Sequence, residues 1–272
     1  MSILICMLSK DRYPHLKLCS EWLLKRMPPD SKLVVFDDGS TDKRVHNHLR
    51  SLARRGADIY LGVDQQGLDP AQRCGVQRRR AVNLFLASTE QYLLLLDDDI
   101  LVGAGAIEEA ISDWRMLRAE GFRPGSLTLH GEMTQHDPQK IGDMTFAELR
   151  LSGEANWLFC RETLTENWFG FGPKEFADVQ QQKMREQGLK YYGRIQPSYQ
   201  VQHIGIGMHG SVIHRDRAVR PFWCDRPYTH TYGPSKGQMV QVGGFDLDFY
   251  LEACRVSAPE EVPLTYLRVK GV

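Results

Sequence analysis

Several things this chain lacks narrow its class before any motif is read. It has no excess of either charge: 34 Lys plus Arg balance 34 Asp plus Glu. A balanced chain gives no global sign of binding nucleic acid or an anionic membrane, although local patches can still do so. Its cysteines, at Cys6, Cys19, Cys74, Cys160, Cys224 and Cys254, include no Cys-x-x-Cys pair. Neither a zinc site nor a disulfide framework is suggested. No apolar run reaches the length of a bilayer span. The apolar opening at 2–8 stops at Lys10-Asp11-Arg12, which fits neither a signal peptide nor a membrane helix. A cytoplasmic protein with no membrane span is the simplest expectation. Internal repeats and low-complexity tracts are also absent. What remains is a chain of 272 residues, 42% hydrophobic and 25% charged. That is enough to bury a full core and too apolar for wholesale disorder.

The apolar pattern alternates between strand and helix periods. Residues 2–8 form a strand-length run, and a helical pattern follows through Leu16, Leu18, Trp22 and Leu23 until Pro28-Pro29 stops it. A second strand over 33–36 ends in Asp37-Asp38-Gly39-Ser40-Thr41-Asp42. The turn and capping residues of that motif lead into a basic helix through Val45, Leu49 and Leu52, and Arg54-Arg55 reads as its solvated end. Residues 58–63 read as a third strand. A loop with Gly67 and Pro70 then precedes a helix over 76–86. The strongest strand, 92–96, ends in Asp97-Asp98-Asp99, and 104–117 reads as the next helix. Such alternation implies an α/β chain with a parallel sheet and helices on both faces. The second half is less regular. Residues 145–149 and 177–187 read as helices, and 191–194 and 201–204 as short strands.

Both acidic motifs fall at the carboxyl ends of strands, where ligands of such sheets bind. Three adjacent carboxylates repel one another, and a divalent cation is the simplest way to offset that. Nucleotide diphosphates need the same cation, because it bridges phosphate oxygens and stabilises a leaving diphosphate. A carboxylate at Asp37 or Asp38 is suited to accept hydrogen bonds from a base or ribose. Each motif taken alone would also serve as an acidic turn capping the helix that follows.

The residues at 4–10, 34–42, Arg78-Arg79-Arg80 and 93–99 together resemble the inverting nucleotide-sugar transferases of the glycosyltransferase-A fold, in the large family with an Asp-Asp-Gly-Ser-Thr-Asp loop. The resemblance covers roughly the first 120 residues well and weakens beyond them. It implies a Rossmann-like mixed sheet flanked by helices. A catalytic domain would span 1–215, with a nucleotide-binding half at 1–120 and an acceptor half at 121–215. Residues 216–272 would form an extension, as a lid or acceptor-binding arm. The resemblance places Asp38, with Asp37 beside it, at the nucleobase, and Arg79 or Arg80 at the base or diphosphate. In the triplet, which looks like the family's Asp-x-Asp, Asp97 faces the ribose, Asp98 lies beside it, and Asp97 and Asp99 hold Mn²⁺ or Mg²⁺. The catalytic base of this family opens a helix after a Gly-rich aromatic loop. Here Trp168-Phe169-Gly170-Phe171-Gly172 precedes Asp178, the first choice, and Glu175, the second, although the family's adjacent Glu-Asp pair is missing. Asp178 would equally suit a helix amino terminus. His203, with His209 as the alternative, would complete the metal shell or touch the diphosphate.

The implied activity is that of a metal-dependent inverting glycosyltransferase, hexosyl or pentosyl. It would move a sugar from a nucleotide-diphosphate donor, a UDP-sugar, to an acceptor hydroxyl. A glycan, a small molecule or a hydroxylated nucleobase in DNA would each serve as acceptor. The segment 209–236 mixes five Lys/Arg with aromatics such as Trp223 and Tyr228, which suits a lid, a sugar acceptor or an extruded base. Asp246-Leu247-Asp248 is a literal Asp-x-Asp but falls after the base, where the family's order does not put it. Two other readings compete. One is a sugar-nucleotide nucleotidyltransferase, which would open with a glycine-rich loop that Ser9-Lys10-Asp11-Arg12 is not. The other is a non-catalytic carbohydrate- or nucleotide-binding module.

Overall fold

A computed structural model describes residues 2–62, 70–129, 135–149, 156–167, 176–196, 199 and 201–203. The first half follows the expected alternation. Strands β1 (Ile3–Ser9), β2 (Ser31–Asp37), β3 (Asp58–Leu61) and β4 (Tyr92–Asp97) are joined by α1 (Tyr13–Leu24), α2 (Lys43–Arg54) and α3 (Pro70–Leu86). β1 lies between β2 and β4, parallel to both, and β3 runs parallel to β2 on its far side. β1 is buried on both faces, which explains its unbroken apolar run. Ile3, Ile5 and Met7 enter one core cluster with α1, α2 and the next helix, α4 (Ala106–Ala119). Leu4 and Cys6 enter the other, against Ala81, Val82 and Phe85 of α3.

Beyond β4 the sheet turns mixed. β9 (Asn156–Cys160) inserts antiparallel between β4 and β6 (Pro124–Thr128). β10 (Lys190–Gln196) then runs parallel to β6 and antiparallel to β8 (Met144–Leu149), which pairs with β7 (Gln135–Ile141). Among the described residues the order is β3-β2-β1-β4-β9-β6-β10-β8-β7. A separate two-stranded ribbon pairs β5 (Ile100–Val102) with β11 (Val201–His203). Helices α5 (Arg161–Asn167) and α6 (Phe176–Glu186) lie against α3. No helix among the described residues is long and apolar enough to cross a membrane.

Two expectations are corrected. Residues 145–149 belong to strand β8, not to a helix. Ile141 pairs with Met144 across the two-residue turn Gly142-Asp143, and Gly142 has φ +60°. That hairpin geometry overrides the apolar spacing that suggested a helix. Pro70 opens helix α3 instead of lying in the preceding loop, a position where its missing N–H costs nothing. The segments 216–272, 168–172 and 209–236 lie outside the described residues, as do Glu175 and His209.

Candidate nucleotide-binding site

Strand register sets the frame of the site. Ser9, the last residue of β1, is paired with Asp37 of β2, and Leu8 with Asp97 of β4. The two acidic motifs therefore end on either side of the same central strand, at the same level of the sheet.

The loop that leaves β1 then reaches both motifs. The Ser9 hydroxyl donates to Asp98 Oδ2 at 2.7 Å. Lys10 Nζ donates to the Asp38 carbonyl at 2.8 Å and lies 3.3 Å from its carboxylate. The Asp11 amide donates to Ser40 Oγ at 2.8 Å, and Asp11 Oδ1 accepts from the amides of Thr41 and Asp42 at 2.5 and 2.9 Å. Arg12 turns the other way, with Nη1 3.0 Å from Asp98 and Nη2 2.6 Å from Asp99.

Helix α3 supplies the remaining contacts. Arg78 Nη2 donates to Asp97 Oδ1 at 3.1 Å. One residue earlier, Gln77 Nε2 donates to Asp38 Oδ1 at 3.3 Å, and Arg73 Nε lies 3.4 Å from Asp38 Oδ2. Arg73 and Gln77 are four residues apart and share a face of the helix. From helix α3 it is Arg78 that meets the triplet; Arg79 and Arg80, which the resemblance places at the base or diphosphate, are partly buried on the same helix. Gly62 braces the site from below. A Cβ there would stand 2.7 Å from the Gly39 amide nitrogen and 2.8 Å from the Asp37 carbonyl.

Electrostatics divide the carboxylates by burial. The side chain of Asp97 is 28% exposed, against 2% and 6% for Asp98 and Asp99. Burial raises the Asp98 pKa despite the opposing field of Arg12 and the Ser9 bond, and its acidic neighbours push the same way. Burial also raises Asp37, against hydrogen bonds from the Ser40 hydroxyl at 2.5 Å and the Ser40 amide at 2.9 Å. Burial opposes the charge on Arg12, but the fields of Asp98 and Asp99 outweigh it and hold the guanidinium protonated. The same contest at Arg78 is decided by Asp97.

Among the described residues no group of three or more His, Cys, Asp or Glu side chains is gathered as a metal cluster. The triplet itself offers oxygen donors alone, the chemistry that suits a hard divalent cation, and Arg12 and Arg78 already offset much of its charge. The backbone of His203 is brought to this place. β11 runs antiparallel to β5, and His203 pairs with Ile100, the residue after Asp99. Asp178 falls in the first turns of α6, the helix that packs on α3.

Ser9, Lys10, Asp11, Arg12, Arg73, Gln77 and Arg78 join the candidate site without having been expected there. The signal was present: a polar loop after a buried strand, and polar residues at helical spacing facing an acidic strand end.

No protein-family model matches the chain, and no curated protein sequence matches it. Solved structures do match. The crystal structure of S. aureus TarS aligns over 73% of this chain and 36% of that one, with 16% identity and a TM-score of 0.50. S. aureus TarS 1–349 in complex with UDP aligns over 73% of this chain and 59% of that one, with 15% identity and a TM-score of 0.50. The chain spans less than two thirds of either. The likeness is one of fold: a mixed sheet flanked by helices, as in glycosyltransferase-A enzymes.

Proposed function

We propose that this chain is a glycosyltransferase that takes a sugar from a nucleotide-diphosphate donor, UDP-linked, and passes it to an acceptor hydroxyl with inversion. The observation that carries the reading is the pairing of Asp37 and Asp97 on either side of the β1 end, within a fold shared with a transferase solved with UDP. In this reading the Asp37-Asp38 end meets the base, and the Asp97–Asp99 end meets the ribose and the diphosphate.

In this reading Asp38 accepts hydrogen bonds from the base, with Lys10, Arg73 and Gln77 fixing its carboxylate. Arg78 orients Asp97 toward the ribose. Asp97 and Asp99, with His203 from β11, would hold Mn²⁺ or Mg²⁺. That cation supplies charge neutralisation of the leaving diphosphate. Asp178, with Glu175 as the alternative, accepts the acceptor proton as the hydroxyl attacks the anomeric carbon from the face opposite the diphosphate. The acceptor is a hydroxyl of a glycan, a small molecule or a nucleobase.

The test is a thermal-shift series with UDP, GDP, ADP, CDP and dTDP and their sugar conjugates, with and without Mn²⁺. Binding to the folded state raises the melting temperature by mass action. A shift confined to one base, dependent on Mn²⁺ and lost in Asp99→Ala, supports the donor assignment. No shift with any nucleotide in a folded sample overturns it. Asp178→Asn should abolish transfer while leaving the nucleotide shift in place; a variant that still turns over overturns that assignment.

A further inference from the structure

Among the described residues Asp11 is the one non-glycine residue with positive φ, at 48°. An L-residue in the left-handed region is strained, and such strain persists only where surrounding bonds over-determine it. At Asp11 those bonds all run to one place. Its amide donates to Ser40 Oγ, and its Oδ1 accepts from the amides of Thr41 and Asp42. The Thr41 hydroxyl approaches the same oxygen at 3.4 Å. Ser40 passes the contact on, because its hydroxyl donates to buried Asp37. A single residue of the first loop therefore fastens three consecutive residues of the second.

The left-handed turn also separates its two neighbours. Lys10, before it, reaches Asp38; Arg12, after it, reaches Asp98 and Asp99. An ordinary helical φ at position 11 would rotate one side of the loop against the other by roughly 110°. Lys10 and Arg12 would then no longer serve separate motifs.

We infer that Asp11 is a positioning residue of the donor site. It clasps the loop after β1 to the loop after β2 and so fixes the spacing between the Asp37-Asp38 end and the Asp97–Asp99 end. That spacing is the span a nucleoside diphosphate has to bridge. The inference rests on the donor-site reading above. Asp11 itself reaches no reacting atom; it acts through Ser40, Thr41 and Asp42.

Two variants separate its contributions. Asp11→Asn keeps the Oδ1 acceptor in a residue that tolerates the left-handed region. Asp11→Gly accepts the same φ without strain, so folding is retained, but removes the acceptor. Binding of UDP, GDP, ADP, CDP and dTDP with Mn²⁺ is measured by calorimetry, alongside amide hydrogen exchange at Thr41 and Asp42. The expected result is that Asp11→Asn stays within about threefold of the original affinity and that Asp11→Gly loses about tenfold or more. Faster exchange at Thr41 and Asp42 should accompany the loss in the glycine variant alone. An unchanged affinity in Asp11→Gly, in a chain that binds a nucleotide, overturns the inference and leaves the donor reading standing. A glycine variant that loses affinity while both amides stay protected also overturns it, because the loss then does not pass through the clasp. An unaltered chain that binds none of the five overturns both.

Discussion

Arg12 sits between two buried carboxylates whose charges it balances. Removing one partner of such a pair is costlier than the pair is worth, because the other charge stays buried without compensation. Arg12→Met should therefore lose about 3 kcal/mol in urea unfolding. Adding Asp98→Asn to that variant should recover part of the loss, since one stranded charge is gone. A second residue-scale effect sits at His48. Its Nε2 lies 2.7 Å from the Ser20 hydroxyl, and burial lowers its pKa from 6.5 to about 4. Below about pH 6.5 the unfolded chain gains a proton that the folded imidazole refuses until about pH 4. Stability should therefore fall as pH drops through that window, by about 2 kcal/mol between pH 7 and pH 5. His48→Gln should flatten that part of the urea-unfolding pH profile. At this scale the sequence singled out the acidic strand ends and concealed what holds them. Asp37, Asp38 and Asp97–Asp99 stand out because acids after apolar runs are unusual. Lys10, Arg12 and Arg78 look like ordinary surface cations until strand pairing brings the ends of β1, β2 and β4 together.

The turn after β2 is packed from below by Gly62 at the end of β3, and it has no room for a side chain. The atoms a Cβ would meet are backbone, so neither side can move aside cheaply. Gly62→Ala should cost about 2 kcal/mol and, under the proposed donor site, weaken nucleotide binding with it. Urea unfolding and calorimetry would read the two effects together. If the variant keeps both properties, the turn is softer than its contacts imply. The same scale explains which elements were legible. β1 to β3 were readable because each opens a βα unit whose period changes within a short stretch, and β4 because its apolar run ends abruptly in three aspartates. β8 was misread because its partner β7 is itself polar, with the sequence QHDPQKI. The Gly-Asp turn at 142–143 was the better signal there. β9 and β6 escaped notice because their pairing is non-local and β6 begins with Pro124-Gly125, a dipeptide that usually marks a turn.

Across the whole molecule, the site is a property of the carboxyl ends of three interior strands and not of any one loop. Residues of β1, β2, β4 and α3 meet there, and both core clusters support them from opposite faces. A ligand that bridges these elements should stabilise the fold as a unit. At a hundredfold excess over its Kd the gain is about 2.7 kcal/mol. For a chain of this size that is a rise of about 5 °C in melting temperature. A much smaller rise at saturation would mean that the ligand also binds the unfolded chain, or that the sheet does not melt as one unit.

The distance along the chain between Arg12 and its partner has a consequence for synthesis. Arg12 and Asp99 are 87 positions apart. At about 5–20 residues per second, the ribosome delivers Asp99 roughly 4–17 s after Arg12. During that interval β1 lacks β4, and Arg12 lacks the two carboxylates it pairs with in the folded chain. The loop after β1 therefore cannot be held on its Arg12 side until the triplet has been made.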